Sequence, residues 1–593
     1  MDGKDQPVEQ PLRTQWADQV DPERPLPDYP RPQLRRPRWT NLNGPWDAAV
    51  TSRHDPAPTD WPHILTVPFP MGSTLSGMAE TLRPDQRLWL RRTIDAVHVA
   101  DGERLRVHFG AVDWETEVWF NNQPVGGHRG GFDPFHLDLT DALIEDQNEL
   151  VVAVWDPTDV GPQPVGKQTL NPSAIQYTPV AGIWQTVWLE PVPIACLESV
   201  WTTTCLADNE LTVHVATSGS TPGDRVHLWV YADGVEVGHG RTLLDGDGAD
   251  VPVTMAALRP WSPDDPFLYD LVIEVQRDDE TIDRADSYAG AREIAIGPDA
   301  AGTLRLHLNG EPIFHLGLLD QGWWPDGLYT APTDDALVFD IETTLAMGFN
   351  TIRKHVKVEP ARWYWHADRL GLLVWQDMPN TWFDLNEVIT QMLDGIDPAD
   401  MDYSRIGTAD DPDGFRRELD AMIDALRPHP SIVVWVPFNE GWGQFDTTVI
   451  LDHVAQRDPS RLVDGASGWV DDGSGHMRDH HVYRKEADFP ALDEHRATVY
   501  GEFGGLGLEV DGHVSHPGGW GYARLDSPES LAAAYEELVD VVAGLVDRGL
   551  AGAIYTQTTD VESEHNGLMT YDRAVIKIAP DRLAEMNRRI LER

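Results

Sequence analysis

The sequence predicts a multidomain fold: a β jelly roll, then an immunoglobulin-like β-sandwich, then a C-terminal (β/α)8 TIM barrel. Three observations carry this expectation. The chain has 593 residues, too many for one hydrophobic core. Its first half alternates apolar and polar residues with turn signals every 8–12 positions, the pattern of short antiparallel strands. After about residue 294, helical stretches alternate with short apolar strands.

Residues 1–38 hold eight prolines and no apolar period, so an extended lead-in is expected. Residues 39–195 include "RLRVHFGAVDWETEVWFNNQPVGGHRGGF", "NELVVAVWD" and "GIWQTVWLEPV", which fit a jelly roll or sandwich. Residues 196–293 carry about seven short strands, among them "ELTVHVATSG", "RVHLWVYADG" and "LYDLVIEVQRD". Residues 294–593 offer eight candidate strands: "IFHLGLLD", "FNTIRKH", "LLVWQDM", "IVVWVPFNE", "LVDGAS", "DHHVY", "ATVYGEF" and "AGAIYTQT". A doubly wound sheet usually carries a glycine-rich phosphate loop after its first strand. The loop here, "DQGWWPDGLYT", is aromatic and acidic instead.

Composition narrows the partners. Lys+Arg is 46 against Asp+Glu 97, a formal net charge of −51. Such a surface repels nucleic acid and anionic membranes. No apolar run reaches the roughly 18 residues that span a bilayer. "MDGKDQPVEQPLRTQW" lacks an apolar leader, so a cytoplasmic protein is expected. Two cysteines, Cys196 and Cys205, are too few for a disulfide framework. Self-assembly is left open.

In a barrel, function collects at the C-terminal ends of the strands. Those ends read Asp320, Arg353–Lys354–His355, Gln376–Asp377, Asn439–Glu440, Asp464, Asp479–His480–His481 with Tyr483, Glu502, Gln557 and Asp560. Trp323, Trp324, Trp382, Trp442, Trp469 and Trp520 lie in or near the following loops. Carboxylates with tryptophans suit a sugar, whose C–H faces stack on indole and whose hydroxyls bond polar groups. The candidate sugar contacts are Asn439, Arg353, His355, Asp377, Trp442, His481, Tyr483, Trp520 and Gln557. Glu440 and Glu502 directly end strands four and seven, which face each other across a regular barrel mouth. Glycoside cleavage needs two carboxyls flanking the scissile bond. A lone strand-end glutamate is more often a salt-bridge partner or helix cap, but two shift the balance. Most of the 23 tryptophans are expected in cores, and Lys354 is expected to face the helices. Adjacent histidines on a strand point to opposite faces, so no metal site is expected. No cofactor is required, and the sequence leaves a structural or activating cation unread.

These residues resemble glycoside hydrolase family 2, which contains β-galactosidases, β-glucuronidases and β-mannosidases. "WTNLNGPWD" (39–47) and "VWFNNQPVGGHRGGFDPF" (118–135) resemble its sugar-binding jelly roll. "YAGAREIAI" (288–296) resembles its link into the barrel. "HPSIVVWVPFNE" (429–440) resembles the acid/base signature, and "GEFGG" (501–505) the nucleophile strand. The resemblance implies Glu440 as general acid/base, Glu502 as nucleophile, Asn439 on the sugar 2-hydroxyl and Tyr483 beside the nucleophile. It implies a retaining exo-β-glycosidase, with a galactoside favoured. Galactofuranosidase, α-L-arabinosidase, β-glucuronidase and β-mannosidase are alternatives, as are a transglycosidase and a non-catalytic carbohydrate-binding protein. The run "RKHVKVEP" (353–360) departs from the family's "R-x-S-H-Y-P", displacing His355 by one position. The last strand, "IYTQTTDVESEHNG" (554–567), lacks the tryptophan of several relatives.

The charge excess generates the first prediction. Salt screens self-repulsion, so thermal unfolding is expected at higher temperature in about 2 M than in about 0.1 M salt. Greatest stability in dilute buffer would contradict a salt-adapted surface.

Overall fold

The computed structural model describes residues 11–381, 383–384, 387–388, 390–391, 410–483 and 492–593. Trp382 lies outside the described residues. The first domain packs two antiparallel sheets. One has six strands and contains Gly44–Ser52, Gln86–Ile94 and Asn148–Trp155; the other has four and contains Glu103–Phe109 and Val187–Pro193. Leu88, Leu90, Val107, Phe109, Val152 and Val154 meet between the sheets. The second domain is a sandwich of three and four strands. Its strand Glu210–Ser218 buries every second residue, as its period of two requires.

The third domain is the barrel. Its strands, in chain order, are His315–Asp320, Thr351–Lys354, Leu373–Asp377, Ile432–Val436, Leu462–Val463, Met477–Val482, Ala497–Gly504 and Gly552–Thr556. They pair in parallel in the order five-four-three-two-one-eight-seven-six. An isolated parallel bridge, Asp464 with Met477, joins five to six. Helices Asp334–Ala346, Ala361–Leu370, Pro412–Leu426, Thr447–Arg457, Pro528–Val546 and Pro580–Leu591 lie in the barrel's sequence. A hairpin before strand one, Ile294–Pro298 with Leu304–Leu308, sends Leu306 and Leu308 against Trp375 and Val434. No described helix is long and apolar enough to cross a membrane.

Residues 11–38 form an extended strap that touches all three domains. Trp16 meets Trp324 and Phe339 of the barrel, and Thr14 bonds Asp326. Tyr29 donates to the buried Glu190 of the jelly roll at 2.5 Å. Arg36 pairs with Asp283 of the sandwich at 2.8 Å.

The jelly roll and barrel meet at an acidic contact. Glu418, on the helix Pro412–Leu426, accepts from the Trp114 indole at 3.4 Å. Burial first, and the nearby Asp133 second, push its carboxyl up to about 8 from an ordinary 4.5. The folded chain therefore holds a proton there that the unfolded chain releases. Stability from this group falls as pH rises from about 4.5 to 8. Glu418→Gln removes the titration. It is expected to flatten the decline of unfolding temperature across that window, with a gain of about 1–2 kcal/mol near pH 8. An unchanged slope would show that Glu418 does not titrate in the window.

Candidate active site

Strand four places the first carboxylate. Ile432–Val436 is wholly buried, and Phe438–Asn439 continues it by pairing with Ala466–Ser467. The next residue, Glu440, adopts φ +51, a left-handed conformation that costs a non-glycine residue about 1–2 kcal/mol. Its N–H donates to the Ser467 carbonyl at 2.7 Å, which holds the turn against that cost.

Strand seven places the second. Its register against strand eight shifts between Tyr500 and Phe503, and its register against strand six shifts between Asp479 and His481. Such irregularities re-aim side chains at a barrel rim. Asp479 fills the space beside Gly501: a Cβ there would lie 1.9 Å from its Oδ2, so only glycine fits. Glu502 follows, and its Oε2 accepts from the Tyr483 hydroxyl. Tyr483 itself stacks on Tyr522 at 3.6 Å.

His481 stands between the carboxylates with its side chain fully buried. Its Nδ1 meets Glu440 Oε1 at 2.7 Å and lies 3.5 Å from Glu502 Oε1. Its Nε2 meets Ser467 Oγ at 2.9 Å. One ligand atom each of Glu440, His481 and Glu502 lies within 4.8 Å of the others, close enough to hold a cation as well as to share a substrate.

The two glutamates differ in proton affinity. Burial raises the Glu440 carboxyl, and the Glu502 charge adds to this; His481 opposes them without prevailing. Burial also raises Glu502, but the charges of His481, Arg353 and Lys167 outweigh it and hold Glu502 below the ordinary range. His481 is raised: burial disfavours its charge, but Glu502 and Glu440 favour it more.

Several expected sugar contacts sit beneath the site instead. Arg353 is fully buried and donates to Asp377, to Asn439 Oδ1 at 2.7 Å and to the Gly501 carbonyl at 3.2 Å. Asp377 accepts from Arg353, His355 and the Val356 N–H, so its oxygens are already engaged. His481 has both nitrogens engaged by protein. Gln557 is buried and bonds Gln321 and Asn566. Trp442 is 2% exposed and stacks on Phe383, a packing arrangement. The short strand two explains His355. It ends at Lys354, so His355 and Arg353 share a side and both reach Asp377. Lys354 points the other way, to Asp320 and Glu359 and over Trp363.

Three candidates keep free donors, the indole N–H of the buried Trp442 among them. Asn439 Nδ2 is buried without a partner, and so is the indole N–H of the part-exposed Trp520. Trp323 and Trp324 are core residues. Sequence reasoning missed Ser467, Tyr522 and Lys167. Lys167 belongs to the jelly roll, in residues 156–181, a long connection with little regular structure. Loop length was the available signal.

The fold and the site define a barrel protein with a two-glutamate centre and two β domains ahead of it. The chain belongs to glycosyl hydrolases family 2. Residues 38–193 match its sugar-binding domain, 196–292 its middle domain and 329–499 its TIM-barrel domain. A β-galactosidase from Thermoanaerobacter pseudethanolicus is 22% identical over 394 residues, 64% of this chain and 48% of that protein. One from Bacteroides ovatus is 25% identical over 370 residues, 59% and 39%. The chain thus spans less than half the length of these relatives. A Bifidobacterium dentium β-glucuronidase structure superposes with a TM-score of 0.72 at 18% identity, covering 93% of this chain and 97% of that one. A β-galacturonidase structure from Eisenbergiella tayi gives 0.69 at 18%, covering 94% and 99%.

His481 generates a prediction. Replacing it with Asn removes the largest influence that lowers Glu502. The Glu502 titration, followed by infrared difference spectroscopy against Glu502→Gln, is expected to move to higher pH. An unmoved titration would refute the role given to His481.

Proposed function

We propose that the chain is a retaining exo-β-glycosidase. The observation that carries this reading is the approach of Glu440 and Glu502, with one oxygen of each within 4.8 Å. Retaining enzymes hold their carboxyls about 5–5.5 Å apart, whereas inverting enzymes leave about 6.5–9.5 Å for a water. The opposite proton affinities support the division of labour. Ionised Glu502 attacks the anomeric carbon through Oε1, the oxygen without a hydrogen-bond donor. Glu440 gives its proton to the departing glycosidic oxygen. Ionised Glu440 then takes a proton from water, and the hydroxide formed displaces Glu502 from the sugar. Asn439 Nδ2 is the donor for the hydroxyl next to the anomeric carbon.

The loop 156–181 crosses one side of the mouth, which suits a terminal sugar. The family resemblance favours a galactoside; the relatives' names span galactosidases, a glucuronidase and a galacturonidase. The burial of Trp442 leaves the transglycosidase alternative without the acceptor platform it called for.

Glu502→Ala and Glu440→Ala are each expected to lower kcat on nitrophenyl glycosides about 10³-fold or more. Azide is expected to restore turnover of activated substrates in Glu440→Ala, giving a glycosyl azide of retained configuration. Near-native rates in both variants would sink the assignment. Loss of wild-type activity on chelation would show that a cation, not the acid/base pair alone, runs the site.

A further inference from the structure

Four of the chain's six lysines fall among the described residues, and all four are buried. Three have a carboxylate partner. Lys354 meets Asp320 at 2.6 Å, Lys357 meets Glu359 at 2.8 Å and Lys577 meets Asp560 at 2.6 Å. Lys167 is the exception. It is 6% exposed, and its ammonium makes no hydrogen bond or ion pair with any described residue.

Its position is fixed by the loop that carries it. The N–H groups of Val165 and Gly166 donate to the Asn380 carbonyl at 2.8 and 3.0 Å. Gly166 has φ +59, and a Cβ there would lie 2.6 Å from the Val356 carbonyl, so the loop rests on the turn after His355. The Lys167 carbonyl accepts from the Tyr177 N–H at 2.8 Å, and Tyr177 donates its hydroxyl to Glu564. The ammonium lies 5.8 Å from the Tyr177 ring. Its charge is felt by Glu440, Glu502 and Glu564. Each of these already has other partners: His481 for Glu440, Tyr483 for Glu502, and Tyr177 with Asn566 for Glu564.

The Lys167 stem is packed away, but no carboxylate of the described residues neutralises its ammonium, which leaves a cation open to an anion at this edge of the site. A neutral sugar already finds donors in Asn439 and Trp520, and has no need of a cation. We propose that Lys167, reaching into the barrel mouth from the jelly roll, binds an anionic substituent on the terminal sugar. The substituent is the carboxylate of a uronic sugar or a sulfate ester on a neutral one. The inference rests on the glycosidase reading and names the sugar class for the same site. Lysine suits the task as a compact point charge, whereas the chain's arginines engage carboxylates through planar forks. Lys167 is thereby a specificity residue supplied by a different domain from the one that holds the glutamates.

The test is a panel of nitrophenyl β-glycosides: galactoside, glucoside, glucuronide, galacturonide and 6-sulfogalactoside. It is run on the full-length wild type, Lys167→Met and Lys167→Arg, with folding checked by thermal unfolding. One anionic glycoside is expected to exceed its neutral counterpart about 100-fold in kcat/KM. Lys167→Met is expected to lower kcat/KM on the anionic glycoside at least about tenfold more than on its neutral counterpart, and Lys167→Arg to keep part of the anionic advantage. The uronide and sulfate arms identify the anion. Hydrolysis of neutral glycosides alone, or equal losses on both kinds, would overturn this inference and leave the glycosidase reading standing. Hydrolysis of none would overturn both. Should Lys167→Met not fold, inhibition of the wild type decides. Glucuronate, galacturonate and galactose 6-sulfate all inhibiting no better than glucose or galactose would refute the proposal.

Discussion

The site depends on one buried guanidinium. Arg353 rises from the second barrel strand with no exposed surface, and its donors reach three strands at once. It grips Asp377 of strand three through two hydrogen bonds, Asn439 at the end of strand four and the Gly501 carbonyl in strand seven. It also lies 3.5 Å from Glu502. A fully desolvated arginine persists only when its forks are satisfied, and here the partners are the site's own framework. Asn439 keeps its carbonyl on Arg353 and is thereby left with its amide free to donate. The strand carrying Glu502 is tied through its backbone. Glu440 and Glu502 are thus held from below by a group that need not touch the substrate.

The same arrangement separates two chemically identical side chains. Both glutamates are buried, and burial alone would raise both. The difference is the neighbourhood. Glu502 faces Arg353, the charged form of His481 and Lys167, which favour its anion, while Glu440 feels the Glu502 charge. His481 touches both and so couples them: proton movement at one is registered by the other. The left-handed backbone at Glu440 belongs to this economy of position, because an extended residue directly after Asn439 would turn its carboxyl to the opposite face of the strand.

The β domains are more than appendages to the barrel. The strap of residues 11–38 ties barrel, jelly roll and sandwich through Asp326, Glu190 and Asp283, all of low exposure. The loop 156–181 is bonded to barrel loops at Asn380, Glu562 and Glu564. Charged groups buried between domains fix register at the cost of desolvation, which fits a mouth assembled from two domains.

The sequence by itself determined the three folds and pointed to the two glutamates that the barrel brings together. Strand and helix periods are local properties, so the antiparallel sandwiches, the eight barrel strands and helices such as Pro412–Leu426 could be read from residue order. Glu440 and Glu502 were legible because a carboxylate closing an apolar strand is conspicuous, and barrel geometry says where strand ends go. What sequence could not give was depth. Arg353, Asp377 and His481 sit at strand ends like the glutamates, yet they form the layer beneath, since strand length and the local shifts near Gly501 and His481 decide which side chain reaches the surface of the site. Lys167 was out of reach for a different reason. It arrives from another domain along a loop without periodicity, and only tertiary packing brings a residue so distant in sequence to Glu440 and Glu502.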